Sequence, residues 1–322
     1  MGVDQRQRHH RARARRRTAP RGQRWFLVPF ATLVALATIG SSALIVRHDQ
    51  HVAPDTVGTV DSHPALTVQT GPVATIASAV AAVDAMSAAA AGTLDIGVAV
   101  LDRTTGQLNL GSEGSTPFYS ASVVKLFTVV DILHRTETGR ATLTPAQLTD
   151  IQRVLTVSDD NAMNVLWEQF GGPTTVTELV GLAHLQDTRP PANPGEWGET
   201  KMSARDVVAV YQYLLTSLNQ TNQQTVLTAL ASAQPTGADG FDQAFGLLRN
   251  PRAAGVAAKQ GWMVDGASEY LHSTGVLGTG NRYVIAVLTK RPASDGYAAG
   301  RADVSGAVGR LTGSLGLSSL SS

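Results

Sequence analysis

The sequence predicts an α+β fold: an antiparallel sheet of about five strands, flanked by terminal helices, with an all-helical lobe inserted into it. Three observations predict it. Strand-like patterning is confined to two regions, about 94–112 and 255–290. A block with helical periodicity, 120–250, lies between them. Helical segments rich in small residues flank the two strand regions at 73–91 and 300–317. Strands split around an inserted block reunite in one sheet, the terminal helices cover it, and the block forms a second lobe. A cleft between the lobes is then the expected binding site.

Each element follows from its residues. "VATIASAVAAVDAMSAAAA" is an alanine-rich helix. "LDIGVAVLDRTTGQLNLGS" alternates on both sides of "DRTTG" and reads as a hairpin. Helices are predicted over 121–137, 145–155, 160–170, 174–184, 203–217 and 222–231. A strand is expected over 255–263, and "EYLHSTGVLGTGNRYVIAVLTK" is a second hairpin turning at "GTGN". The glycines there serve the turn rather than a phosphate. "GRADVSGAVGRLTGSLGL" closes the chain as a helix.

Three segments precede this domain, which is assigned to 73–322. Residues 1–24 hold nine arginines and one aspartate and are read as a basic cytoplasmic tail. Residues 25–46, "WFLVPFATLVALATIGSSALIV", carry no charge and are long enough as a helix to cross a bilayer. Arginine before the run orients its N-terminus to the cytoplasm. It is read as an uncleaved signal anchor, with a signal peptide cut near Ser41 or Ala43 as the competing reading. Residues 47–72, punctuated by proline and glycine, form a linker. Either reading places the domain outside the cytoplasmic membrane. The basic tail is thus assigned to topology, and no nucleic-acid partner is expected.

The 322-residue chain contains no cysteine, which excludes a disulfide framework, a thiol nucleophile, a cysteine-ligated metal and a lipid-modified cysteine. No H-x-x-x-H pair or G-x-S-x-G occurs, so neither a metal nor a cofactor is expected. Only four lysines are present, Lys125, Lys201, Lys259 and Lys290, and two of them sit in mostly apolar surroundings, "SVVKLF" and "GVAAKQGW". A buried lysine is uncommon without a partner or a function.

Ser122 and Lys125 share one face of a predicted helix. A serine hydroxyl needs a base to become a nucleophile, and Lys125 is the one available. His134, His184 and His272 are the domain's only histidines, and none is beside a plausible nucleophile. Ser158-Asp159-Asp160 opens another helix, where a serine followed by two acids is also an ordinary N-cap. Lys259-Gln260-Gly261-Trp262 lies on a late strand, where a lysine is also ordinary on a sheet edge.

Taken in order, S-x-x-K, S-D-acid and K-x-G resemble the motifs of the class A β-lactamases and the penicillin-binding D-alanyl-D-alanine peptidases. "SVVKLF", "LTVSDDNAMN", "KQGW" and "PGEWGETKMS" carry the resemblance over about 73–317. It implies a β-lactamase/transpeptidase-like fold and a cell-envelope serine hydrolase, acting as a monomer on a β-lactam or a peptidoglycan stem peptide. The resemblance makes Ser122 the nucleophile, Lys125 the base and Ser158 the relay to the leaving nitrogen. The backbone N–H groups of Ser122 and Trp262 form the oxyanion hole, and Lys259, Gln260, Gly261 and Asp160 meet the substrate. Three departures accompany it. Asp160 stands where the family has asparagine, Gln260 where it has a hydroxyl, and the Ω-loop lacks E-x-x-L-N. Glu196 is the remaining candidate for a deacylation base, Glu199 matches a structural acid usually held in an ion pair, and slow deacylation is expected. A catalytically weak or inert relative that binds cell-wall peptide or a partner is the alternative.

Overall fold

The computed structural model describes residues 75–249 and 255–317. The basic tail, the apolar run and the linker lie outside the described residues. The chain opens on α1 (Ile76–Ala89), whose first turn is capped by the Thr75 hydroxyl accepting from Ser78 N at 3.2 Å. The hairpin β1 (Asp95–Asp102) and β2 (Gln107–Leu110) follows. The second strand set is β5 (Val256–Asp265), β6 (Ser268–Leu277) and β7 (Tyr283–Pro292), and α8 (Tyr297–Ser314) packs back against α1.

All five strands pair antiparallel in the order β2-β1-β7-β6-β5. The join between the chain's two ends is the β1–β7 ladder, from Asp95 opposite Lys290 to Asp102 opposite Tyr283. Alternation along β1 explains why the sheet has two cores. Ile96, Val98 and Val100 bury against α1 and α8 with Val83, Val304 and Leu311. Ala99 faces the helical lobe.

That lobe contains α2 (Val124–Glu137), α3 (Pro145–Thr156), α4 (Asp160–Gln169), α5 (Pro173–Leu182), α6 (Ala204–Ser217) and α7 (Gln220–Ala231). Local chemistry sets their starts. Thr144 and Gln147 form a capping box for α3 with Pro145 in the first turn, and Ser203 and Asn219 cap α6 and α7. Helix α2 is the axis of the lobe, with residues 124–133 buried on every side. Each fully buried leucine or isoleucine there contributes roughly 2 kcal/mol of transfer free energy. The same burial encloses Lys125, which therefore needs compensating partners.

The predicted helices and both hairpins match the structure to within three residues, the first and last helices differing most. One feature was not anticipated. A two-stranded ribbon, β3 (Phe118–Tyr119) with β4 (Lys201–Met202), ties the approach to Ser122 to the end of the loop that follows α5. Strands of two residues carry no alternation to read.

Candidate active site

Ser122 lies in a 3-10 turn, Ala121–Val123, that runs directly into α2. The preceding Ala121 has φ 45°, a left-handed conformation that costs a non-glycine residue free energy. The segment is held there by Ser120, whose N–H donates to Thr200 O at 2.8 Å and whose hydroxyl donates to Gly198 O at 3.2 Å. Ser122 is thereby presented at the mouth of a buried helix.

One helical turn on, Lys125 is fully buried. Its Nζ lies 2.9 Å from Ser122 Oγ, 3.2 Å from Ser158 Oγ, 2.6 Å from Ser158 O and 2.5 Å from Asp160 Oδ1. The indole of Trp197 closes the remaining side, its centroid 4.7 Å from the ammonium. The N-cap of α4 is Asp159, which accepts from Ala162 N at 3.0 Å, so the capping role does not fall on Ser158. Ser158 instead adopts φ 55° and turns its hydroxyl between two lysines. Lys259 Nζ, also buried, donates to that hydroxyl at 2.8 Å and to Gln260 O at 2.7 Å. Ser122, Lys125, Ser158 and Lys259, far apart in sequence, form one continuous hydrogen-bonded chain.

Burial holds the Lys125 ammonium below its ordinary range, while Asp160, then Asp159 and Asp239, oppose the shift. Lys259 is driven well below its ordinary range, first by burial and then by the charge on Lys125. Both shifts favour a neutral amine, the form that can accept a proton.

Strand β5 is the outer edge of the sheet and forms one wall of the site. The Gln260 carbonyl meets Lys259 Nζ on the free edge, and backbone groups two residues apart point the same way. The N–H of Trp262 therefore lies on that edge, across from the Ser122 turn. The Trp262 ring stacks on Phe241 with centroids 4.6 Å apart, and its Nε1 donates to Asp239 Oδ2 at 2.9 Å.

Two expectations on β5 are corrected. Gln260 does not reach the substrate side: it is fully buried, with Nε2 donating to the Phe245 carbonyl. Strand parity is the reason, because Lys259 takes the cleft face and its neighbour takes the opposite one. Gly261 shares the face of Lys259 by the same parity, but it has no side chain to offer a substrate and packs under the nucleophile turn. A Cβ there would lie 3.0 Å from Ser120 O and 3.2 Å from His272 Cδ2, so its role is to let β5 approach the nucleophile turn.

Asp160 does line the cleft, a space of about 410 Å³ that also touches Ser122, Asn164, Glu196, Trp197 and Trp262. Glu196 is exposed on its rim, and no ion pair holds Glu199 among the described residues. His272 is placed structurally: burial lowers its pKa to about 4, Nε2 bonds Tyr119 O at 2.7 Å, and Nδ1 accepts from Thr289 N at 3.3 Å. Trp197, Asn164 and His272 were not singled out by the motifs. For Trp197 a signal existed: a large indole in a loop rich in proline and glycine requires a partner.

Known proteins share this fold. The sequence matches the Beta-lactamase enzyme family over residues 76–150 and 147–312. It is 39% identical over 218 residues, 66% of this chain and 68% of the relative, to the Mycobacterium tuberculosis protein named "Putative lipoprotein LppW". The beta-lactamase of Sphaerobacter thermophilus superimposes with a TM-score of 0.58 at 18% identity, covering 74% of this chain and 98% of that one. A protein titled PBP-A, solved as a point mutant in an acyl-enzyme complex with penicillin G, gives 0.60 at 17% identity, covering 74% and 96%. These structural likenesses establish the fold, the sequence match extends over most of the chain, and the chain belongs to the beta-lactamase enzyme family.

Proposed function

We propose that this chain is a cell-envelope serine hydrolase that opens β-lactams or D-Ala-D-Ala-like amides through an acyl-enzyme on Ser122 and releases it slowly. The observation that carries this reading is the 2.9 Å contact between Lys125 Nζ and Ser122 Oγ, inside a polar chain that continues through Ser158 to Lys259. Neutral Lys125 takes the Ser122 proton as Oγ attacks the carbonyl carbon. The resulting oxyanion is met by the N–H groups of Ser122 and Trp262, where one donor is worth about 3–4 kcal/mol of barrier. Ser158 passes the proton to the leaving nitrogen, the C–N bond breaks, and the acyl group remains on Oγ. Lys259 supplies positive charge for a substrate carboxylate.

The domain acts outside the cytoplasmic membrane in this reading. The mycobacterial relative is named a lipoprotein. This chain has no cysteine to carry a lipid, so attachment falls to the apolar run 25–46. The partner is the peptidoglycan stem peptide or a β-lactam, and the domain works as a monomer.

Incubation with a fluorescent penicillin, then mass mapping of the labelled peptide, tests the reading. Label is expected on Ser122 and absent from Ser122→Ala; label elsewhere, or retained in that variant, refutes it. A second reading, a non-catalytic binder of cell-wall peptide, is favoured by one observation. The Asp160 carboxylate contacts Lys125 and stabilises the charged ammonium, the form that cannot act as a base. No labelling at any penicillin concentration would select it.

A further inference from the structure

The cleft contains a large side chain from the loop after α5 to which the motifs give no task. Trp197 sits in a 3-10 turn, Trp197–Glu199, where the family resemblance leads one to look for a deacylating carboxylate. The turn is held from three sides. Trp197 Nε1 donates to Asn164 Oδ1 at 2.8 Å, Trp167 Nε1 donates to Pro194 O at 2.8 Å, and Ser120 Oγ donates to Gly198 O at 3.2 Å. The loop's start is also fixed: the Asp206 carboxylate accepts from the backbone N–H groups of Gln186, Asp187 and Thr188 at 3.1, 2.7 and 2.7 Å. An indole mounted this way is a fixed wall rather than a swinging cover.

Position gives the wall its consequence. In the acyl-enzyme reading the ester carbonyl oxygen is held at the β5 edge, and one face of the ester is turned toward the 194–199 turn, which lines the same space as Ser122. Trp197 lines the space on that side. Its ring packs against the Lys125 ammonium, and its one donor is spent on Asn164, so the surface shown to the ester is apolar. Glu196, the nearest carboxylate of the turn in sequence, is exposed at the rim instead. A water placed against the indole face gains no polar partner from the indole, whose N–H is already bonded to Asn164.

We infer that Trp197 determines the fate of the acyl-enzyme by occupying the approach of hydrolytic water, so that the ester persists. This rests on the acyl-enzyme reading above. With the indole removed, water attacks the ester carbon, its proton passes to neutral Lys125, and the C–Oγ bond breaks. Lys125 then returns the proton to Ser122 Oγ, leaving free enzyme and a carboxylic acid, with no co-reactant needed.

The test is performed on the full chain. It is acylated with penicillin, freed of excess reagent and followed by intact mass. Trp197→Ala should shorten the adduct lifetime about tenfold or more, well within the range a catalytic group governs. Trp197→Phe, which keeps a ring in place without the Asn164 bond, should stay within about twofold of the parent. Asn164→Ala, which frees the indole from its anchor, should fall between them. A parent adduct with an unchanged lifetime in folded Trp197→Ala overturns the inference and leaves the acyl-enzyme standing. Failure of folded Trp197→Ala to acylate also overturns it, because the indole then serves the first step. Absence of any adduct on the parent defeats the acyl-enzyme reading itself, and this inference with it.

Discussion

The floor and the rim of the cleft differ in how fully their polar groups are satisfied. On the floor, Ser122, Lys125, Ser158 and Lys259 are all almost wholly buried, and each has a partner within the group. On the rim, the Asp160 side chain is 60% exposed, Glu196 faces solvent, and Trp197 presents an apolar face. The floor keeps the residue types of the resembled family, whereas the rim departs from them at Asp160 and along the turn that holds Glu196 and Trp197. Chemistry that costs buried charge tolerates little variation, because removing one partner strands another. Groups at an exposed surface are less costly to replace, because water satisfies what a lost partner leaves.

Four substitutions and conditions would break or sharpen this contrast. Lys125→Met removes the proposed base and should lower the rate of penicillin labelling by about a thousandfold, with the circular dichroism of the fold retained. Labelling at the parental rate would move Lys125 from chemistry to structure. Next in size, Asp160→Asn should raise that rate about tenfold, since it removes a charge that stabilises the Lys125 ammonium and restores a donor toward the substrate. A lower rate would show that the rim recognises a cationic group.

The third concerns stability against pH. The folded value of Lys259 is depressed, so below the ordinary lysine value the unfolded chain holds a proton that the folded chain does not. Stability should therefore climb as pH rises from that depressed value toward the ordinary one, and Lys259→Met should flatten the climb. Urea denaturation across alkaline pH measures it; an equally steep climb in the variant would assign it to other groups. The smallest effect is expected from Gln260→Leu. Its amide is bonded to the Phe245 carbonyl on the far side of the strand, so labelling should stay within about twofold while stability drops by about 1 kcal/mol. A large fall in labelling would show that the side chain visits the cleft.

Much of the floor was legible because its parts are carried by short spacings. Ser122 and Lys125 lie one helical turn apart, and Lys259 stood out as a rare lysine in an apolar strand. The element order was legible through the two hairpins and the periodic block between them. What escaped depended on how elements face one another. The parity of Gln260 follows from which face of β5 meets the lobe, and no property of the "KQGW" run encodes that. The cap of α4 illustrates the same limit: Ser158 and Asp159 are both good caps, and contacts with Lys125 and Lys259 decide between them. Trp197 needed a three-dimensional answer, since its partners Asn164 and Lys125 come from two other helices.

The ladder between β1 and β7 has a consequence for the order in which the protein comes into being. Asp95 meets Lys290 and Asp102 meets Tyr283, so the sheet cannot close until nearly the whole domain has been made. Pairings this distant in sequence form slowly, whereas the helices of the lobe rest on near neighbours. Ser122 and Lys125 can thus find their helix early, while Lys259 arrives only with the late strands. The depressed basicity that the two lysines acquire by burial awaits that arrival. Until those last strands settle, the Ser158 hydroxyl lacks its bond from Lys259, and the polar floor of the cleft is incomplete.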